Sequence, residues 1–256
     1  MAKLENKIVF ITGASEGIGK ACAYAFAAEG ANLILSARRK NLLDDIGENI
    51  EEKFGVKVLT LKLDVRNGDE VKASISNLPE QWAAVDILIN NAGLAKGFEK
   101  MFKDDPENWD AMIDTNLKGL LYVTRQIVPG MVKRNSGHVI SLGSTAGHMA
   151  YGNGSVYCAT KFGVRAISDS LRIDLIDTDI RVSTVDPGMV ETDFSNIRFF
   201  GDKERASKVY EGITPLSAED IADTILYCAT RPPHVSINEV IMTPVAQANS
   251  FVAFRK

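Results

Sequence analysis

Tyr157 and Lys161 stand four residues apart in a segment with helical spacing, so both side chains project from one helix face and can reach one small molecule. A phenol beside an ammonium is an acid–base pair. A free phenol titrates near ~10, and a neighbouring positive charge favours the phenolate. Lowering that value by about 3 units takes roughly 4 kcal/mol of differential stabilisation, at about 1.36 kcal/mol per unit. Such a tyrosine gives a proton to a carbonyl oxygen or takes one from an alcohol. An interfacial aromatic beside a snorkelling lysine is the alternative for the pair alone, so the rest of the chain must decide.

A second constellation lies near the start. The strand-like run 7–12 leads into Gly13-Ala-Ser15-Glu16-Gly17-Ile18-Gly19, and a helical pattern of Ala21, Ala25, Phe26 and Ala28 follows. Glycines there permit a tight strand-to-helix turn and close backbone approach, so that helix-terminal N–H groups and the positive end of the dipole can hold a pyrophosphate. The spacing is G-x-x-x-G-x-G rather than G-x-G-x-x-G.

The elements that must position these groups are legible. Short β-rich runs recur at 7–12, 31–36, 56–63, 85–90, 137–142, 180–185 and 237–243. Several are continuous apolar runs, which a parallel sheet covered on both faces requires. Between them lie helical patterns. Trp109, Met112, Ile113, Leu117, Leu120, Leu121, Ile127, Val128 and Met131 recur at three- and four-residue steps, marking a long amphipathic helix that Pro129 bends near its end. Asn116 lies inside that apolar stripe. Strand alternating with helix predicts an α/β fold: one doubly wound Rossmann domain over 1–256, with a seven-stranded parallel sheet and helices on both faces. Residues of about 192–218 are charged, aromatic and poorly periodic, and read as a substrate lid inserted before a last helix and strand.

Composition sets the class. With 45% hydrophobic and 24% charged residues the chain is globular, and 29 basic against 33 acidic residues, a net charge of −4, lack the basic footprint of a nucleic-acid binder. No apolar stretch is long enough for a membrane span, and Met-Ala-Lys-Leu-Glu-Asn-Lys shows no secretory pattern. Cys22, Cys158 and Cys228 are widely separated and read as reduced, which fits the cytoplasm. His138, His148 and His234 have neither pair spacing nor acidic company, so surface or capping roles are expected and no metal.

The end of the second strand selects a nicotinamide cofactor, because an acid there accepts from a ribose 2′-hydroxyl whereas arginine pairs with a 2′-phosphate. This chain has Ser36-Ala-Arg38-Arg39, and the first acid afterwards, Asp44, falls in the next helical run. The expectation is NADP, with two solvated arginines opening a helix as the alternative. Asp64-Val65 follows the third strand, where a strand-end aspartate capping a helix is one reading.

Gly13 to Gly19, Asn90-Asn91-Ala92-Gly93, Ser144, Tyr157-Cys-Ala-Thr-Lys161 and Asp186-Pro187-Gly188 fall in an order that resembles the short-chain dehydrogenase/reductase family from about Lys7 to Thr243. Through Gly143-Ser-Thr-Ala-Gly147 and the run 187–198 the chain is most similar to its NADP-dependent 3-hydroxy acid (serine and allo-threonine) dehydrogenases. The resemblance implies hydride exchange between NADP and a short 3-hydroxy acid such as 3-hydroxypropionate, with Tyr157 moving the proton. It implies that Ser144 donates to the same oxygen, that Asn116 organises a water relay to Lys161, and that Lys161 also binds the nicotinamide ribose. Taken by itself, an asparagine in an apolar stripe is more simply a structural residue satisfied by neighbouring backbone. Gly13, Ser15, Glu16, Gly17, Ile18, Gly19, Asn91, Ala92 and Gly93 are expected to bind the cofactor, with Pro187, Gly188, Val190 and Thr192 at its nicotinamide end; for Asp64 and Val65 the resemblance implies an adenine contact. Many NADP-preferring members carry a basic residue where this chain has Glu16, and an acid so near a phosphate should weaken binding. A homotetramer is implied, built partly through the helices containing Asn116 and Tyr157.

A short hydroxy acid offers little apolar area, so its carboxylate must supply much of the orientation. Arg198, after Phe194-Ser-Asn-Ile, is the expected partner, or else a brace for the lid; Lys203 and Arg205 sit among Asp202 and Glu204 as a solvated cluster. His148, Tyr151 and Met189, with Met149, are expected to line the rest of the pocket. The other readings are a 3-oxoacyl or general carbonyl reductase and, outside enzymes, an NADP-sensing interaction protein on the same fold.

Overall fold

The strand β1 (Ile8–Thr12) shows how the sheet is built. Val9 and Ile11 point to one face and join Leu33, Leu35, Ile89, Ile140 and Val185, while Ile8 and Phe10 point to the other with Ile34, Leu88, Val139 and Val182. Successive side chains alternate, and since both faces are covered the run is apolar throughout.

The computed structural model describes residues 3–256. After β1 come β2 (Asn32–Ala37), β3 (Val58–Lys62), β4 (Ile87–Asn90), β5 (Gly137–Leu142), β6 (Ile180–Pro187) and β7 (Glu239–Met242). They form one seven-stranded parallel sheet in the order β3-β2-β1-β4-β5-β6-β7. On the first face lie α1 (Gly17–Ala28), α2 (Lys40–Phe54) and α9 (Ala218–Ala229), through Phe26, Leu43, Ile50, Ile221 and Ile225. On the second lie α3 (Gly68–Ser76), α5 (Leu120–Arg134) and α6 (Ser155–Asp174), through Val71, Val123, Ile127, Met131 and Leu171. The chain departs from β1 in one direction and returns to β4 in the other, which opens a crevice at the carboxyl ends of the strands.

The long amphipathic helix departs from the sequence expectation in where it is irregular. It begins as α4 (Pro106–Ile113), passes through a π-helical turn at Asp114–Gly119 and continues as α5 through Pro129 to Arg134. The irregularity therefore surrounds Asn116. Gly119 is pressed on Val65, where a Cβ would come within 2.6 Å of a valine methyl, and Asn116 is tied to the loop after β4. These tethers hold a wide turn, a form frequent at functional sites.

The lid region contains α7 (Phe194–Arg198) and α8 (Lys203–Lys208), and Val190 pairs with Leu216 before α9 begins. Residues 244–256 fold back across it: Lys256 N–H donates to Gly212 at 3.0 Å, Arg255 donates to the carbonyls of Val209 and Glu211, and Ser250 Oγ donates to Thr145 O. No sequence signal marked that contact.

Candidate active site

Gly13 has φ +65°, and a Cβ on Gly19 would stand 2.4 Å from Gly13 O, so β1 and α1 meet as closely as only glycine allows. Glu16, the residue before α1, makes no capping hydrogen bond to the first turn, which leaves helix-terminal N–H groups for an anion. The loop is braced from β4: Asn91 Nδ2 donates to Thr12 O and Gly13 O at 2.8 and 3.1 Å, and Thr12 Oγ1 accepts from Asn91 and Ala92 N–H. Thr12 is a supporting residue that the sequence reading passed over.

Ser15, Glu16, Gly17, Ile18, Arg38, Arg39, Asp64, Val65, Asn91, Ala92 and Gly93 line one end of a cleft of about 750 Å³. Gly19 does not line it and serves in helix packing. Arg39 reaches Glu16 at 2.6 Å and Ser15 Oγ at 3.0 Å, so the loop's acid has its own counter-ion. Among the described residues Arg38 has no side-chain partner. Asp44 faces Lys40 and Thr60 and is absent from the cleft wall, so it does not offer the acid an unphosphorylated ribose would need. Asp64 is held by Arg66 through both carboxylate oxygens, an ion pair that keeps its carboxyl below the usual range. Arg66 lines the cleft too and was not singled out from sequence.

At the other end stand Ser144, Tyr157, Lys161, Pro187, Gly188, Met189, Val190 and Thr192. The Ser144 hydroxyl faces the Tyr157 phenol, and its Oγ accepts from Ala146 N–H at 3.1 Å and lies 3.4 Å from Pro187 O. Lys161 Nζ lies 5.9 Å from the Tyr157 ring centre and donates to Leu142 O at 2.8 Å. Burial sets both titrations. It pushes the Tyr157 phenol above its free value, against the opposing pull of the Ser144 hydroxyl and the Arg198 charge. It brings Lys161 down to about 8, against the pull of Asp186. The lysine-lowered phenol expected from sequence is therefore not what this geometry gives: Lys161 is turned to a backbone carbonyl, and the cation acting on the phenol is Arg198.

Asn116 lies outside the cleft wall. Its Oδ1 accepts from Leu94 N–H at 2.9 Å, and its Nδ2 donates to Leu94 O and Thr160 Oγ1 at 2.8 and 3.0 Å. The side chain is thus satisfied as the structural reading anticipated, and any part in a relay falls to main-chain groups of the π turn.

Arg198 is enclosed by aromatic rings, with Phe98, Tyr151 and Tyr157 centred 4.7, 5.5 and 5.6 Å from its guanidinium carbon. Its Nε donates to Gly97 O at 3.3 Å and its Nη1 to Tyr151 Oη at 3.0 Å, while the buried Nη2 has no partner. A guanidinium nitrogen buried without a partner has the capacity for one more charge-assisted bond to an oxyanion. Phe98, Phe194 and Phe199 complete this wall. Arg205, read as part of a solvated cluster, instead stacks on Phe199 at 4.8 Å and lines the cleft.

His148 corrects two expectations. It is not part of the cleft wall, and it has acidic company: Nε2 lies 2.8 Å from Asp186 Oδ2 and 3.8 Å from Glu239. Long-range pairing of β5, β6 and β7 creates this cluster, which no local spacing reveals. Its three potential ligand atoms lie within 4.8 Å of one another, but Glu239 is already held by Arg165 at 2.9 Å, so the group consists of two hydrogen-bonded pairs, His148–Asp186 and Arg165–Glu239.

Residues 7–199 match the short chain dehydrogenase family. The NADP-dependent 3-hydroxy acid dehydrogenase of Salmonella typhi is 47% identical over 94% of this chain and 96% of its own length. Its namesake in Schizosaccharomyces pombe is 42% identical over 100% and 99%. Among solved structures, a serine dehydrogenase in closed form complexed with NADP+ superposes with a TM-score of 0.90 at 42% identity, covering 97% of this chain and 99% of that one. With the glycine turn, the Ser-Tyr-Lys group and the doubly wound sheet all in place, this chain belongs to the short-chain dehydrogenase family.

Proposed function

We propose that this protein is an NADP-dependent dehydrogenase of short 3-hydroxy acids, exchanging hydride at the carbon bearing the 3-hydroxyl. The observation that carries the substrate class is the buried, unpartnered Nη2 of Arg198, which offers a carboxylate a charge-assisted bond beside Tyr157. NADP+, when bound, supplies the hydride acceptor. Gly13, Ser15, Gly17 and Ile18 would hold its pyrophosphate, Arg38 its 2′-phosphate, and Pro187, Gly188, Val190 and Thr192 the nicotinamide end.

The protein's own groups handle the proton. As phenolate, Tyr157 Oη takes it from the substrate hydroxyl during oxidation, and as phenol it returns it to the carbonyl oxygen during reduction, while the Ser144 hydroxyl donates to the same substrate oxygen and fixes its position. The Arg198 charge, 5.6 Å from the Tyr157 ring centre, favours the phenolate that accepts this proton. Phe98, Phe194 and Phe199 give this end of the cleft an apolar lining.

The names of the relatives support this reading. The buried free cysteines suit a reducing cytosol, and among the described residues no helix is long and apolar enough to cross a membrane. The test is a nicotinamide fluorescence assay with NADP+ and NAD+ across serine, allo-threonine, 3-hydroxypropionate and acyl thioesters. Turnover of free 3-hydroxy acids with NADP+ is expected. Activity confined to thioesters would make the protein an acyl reductase instead.

A further inference from the structure

Asp186, the penultimate residue of β6, carries a carboxylate that is only 2% exposed. A Cβ on Gly143 would fall 1.6 Å from Asp186 Oδ1, so the carboxylate rests directly on the Gly143 backbone. The two neighbours of Gly143 matter: Leu142 supplies the carbonyl that accepts from Lys161 Nζ, and Ser144 carries the hydroxyl that faces the Tyr157 phenol. The other carboxylate oxygen is held by His148 at 2.8 Å, and His148 closes the 3₁₀ turn Thr145–Gly147 that begins at Ser144.

We propose that Asp186, gripped by His148, is a positioning residue for the proton-transfer group: it clamps the Leu142–Ser144 backbone against β6 and is the buried counter-charge of Lys161. This rests on the reading of Tyr157 and Lys161 as the proton-handling pair. The charged groups facing Asp186 are His148 from the turn after β5, Glu239 from β7 and Lys161 from α6. Glu239 is neutralised by Arg165, which leaves the hydrogen bond of His148 and the more distant charge of Lys161 to act on the buried carboxylate. The geometry explains why an aspartate rather than a neutral residue can stand there: a buried anion is tolerated where a cation and a hydrogen-bond donor meet it. In return the anion opposes the burial that would strip Lys161 of its proton.

Two measurements test the clamp, one of them independent of substrate. In protein carrying 13Cε-labelled lysine, with the Lys161 signal assigned through Lys161→Arg, Asp186→Asn is expected to lower the Lys161 titration midpoint by about one pH unit. An unchanged midpoint in folded Asp186→Asn overturns the counter-charge role. For positioning, His148→Ala is expected to lower kcat about tenfold with KM for NADP+ within about twofold, and His148→Gln, which keeps a donor near the Nε2 position, to recover most of it. Equal losses in the two variants, or none, overturn the clamp. If Asp186→Asn fails to fold, the Lys161 midpoint in His148→Ala against His148→Gln takes its place, falling only in the former. Should the unaltered protein turn over no 3-hydroxy acid, the functional reading fails while the lysine titration still decides this one.

Discussion

Arg38 and Arg39 are adjacent in sequence and differ in their partners. Arg39 is engaged by Glu16 and Ser15, in a half-exposed pair of the kind that contributes at most about 1 kcal/mol to stability. Arg38 is the guanidinium left for a phosphate. Arg38→Ala is therefore expected to weaken NADP+ about 10- to 50-fold and NAD+ by less than about twofold, by isothermal titration. Glu16→Gln releases Arg39 and removes an acid, so NADP+ should tighten severalfold; an unchanged affinity would show that the acid does not act on the phosphate. Arg198 is a harder case, because it both offers a free nitrogen and ties the lid to Gly97 and Tyr151. Arg198→Leu is expected to raise KM for a 3-hydroxy acid about 100-fold, against less than about tenfold for an uncharged ketone of similar size. Parallel losses would make it a lid brace alone.

Between strands, His138 is a titrating staple. Ser183 Oγ donates to Ile237 O, so it accepts from His138 Nε2–H at 2.8 Å, and the unprotonated Nδ1 is buried without a partner. Burial lowers the His138 pKa to about 3. The folded state therefore binds fewer protons than the unfolded state between that value and the ordinary one near ~6.5, and stability falls as pH falls through this window. The slope from this one residue approaches about 1.4 kcal/mol per pH unit, and His138→Gln, which keeps a donor without titrating, should flatten it. Urea unfolding at pH 7 and pH 5 measures the difference. If both proteins lose the same stability on acidification, carboxylates elsewhere govern the acid limb.

Over the whole molecule, Leu121, Tyr122 and Val132 on α5 and Phe162 and Ile173 on α6 are exposed apolar side chains, and Tyr227, Ile241, Val245, Phe251 and Phe254 form a second group around α9, β7 and the tail. We propose that these exposed apolar side chains are covered in the interfaces of a homotetramer. Sedimentation is expected to give a tetramer, and Phe162→Glu with Ile173→Glu to give a smaller species; a monomer for the unaltered chain would overturn this. The sheet, the glycine turn and the Tyr157–Lys161 spacing were legible in sequence, since apolar alternation, helix period and turn chemistry are local properties of the chain. The grip of Arg39 on Glu16, the aromatic enclosure of Arg198, the His148–Asp186 pair behind Ser144 and the tail over the lid were not. Each joins residues from elements far apart in sequence, and such contacts exist only once crossovers and packing have set the distances. Sequence by itself determined which chemistry the chain carries; the tertiary structure decided which charge faces which, because electrostatic effects depend on burial and separation rather than on order along the chain.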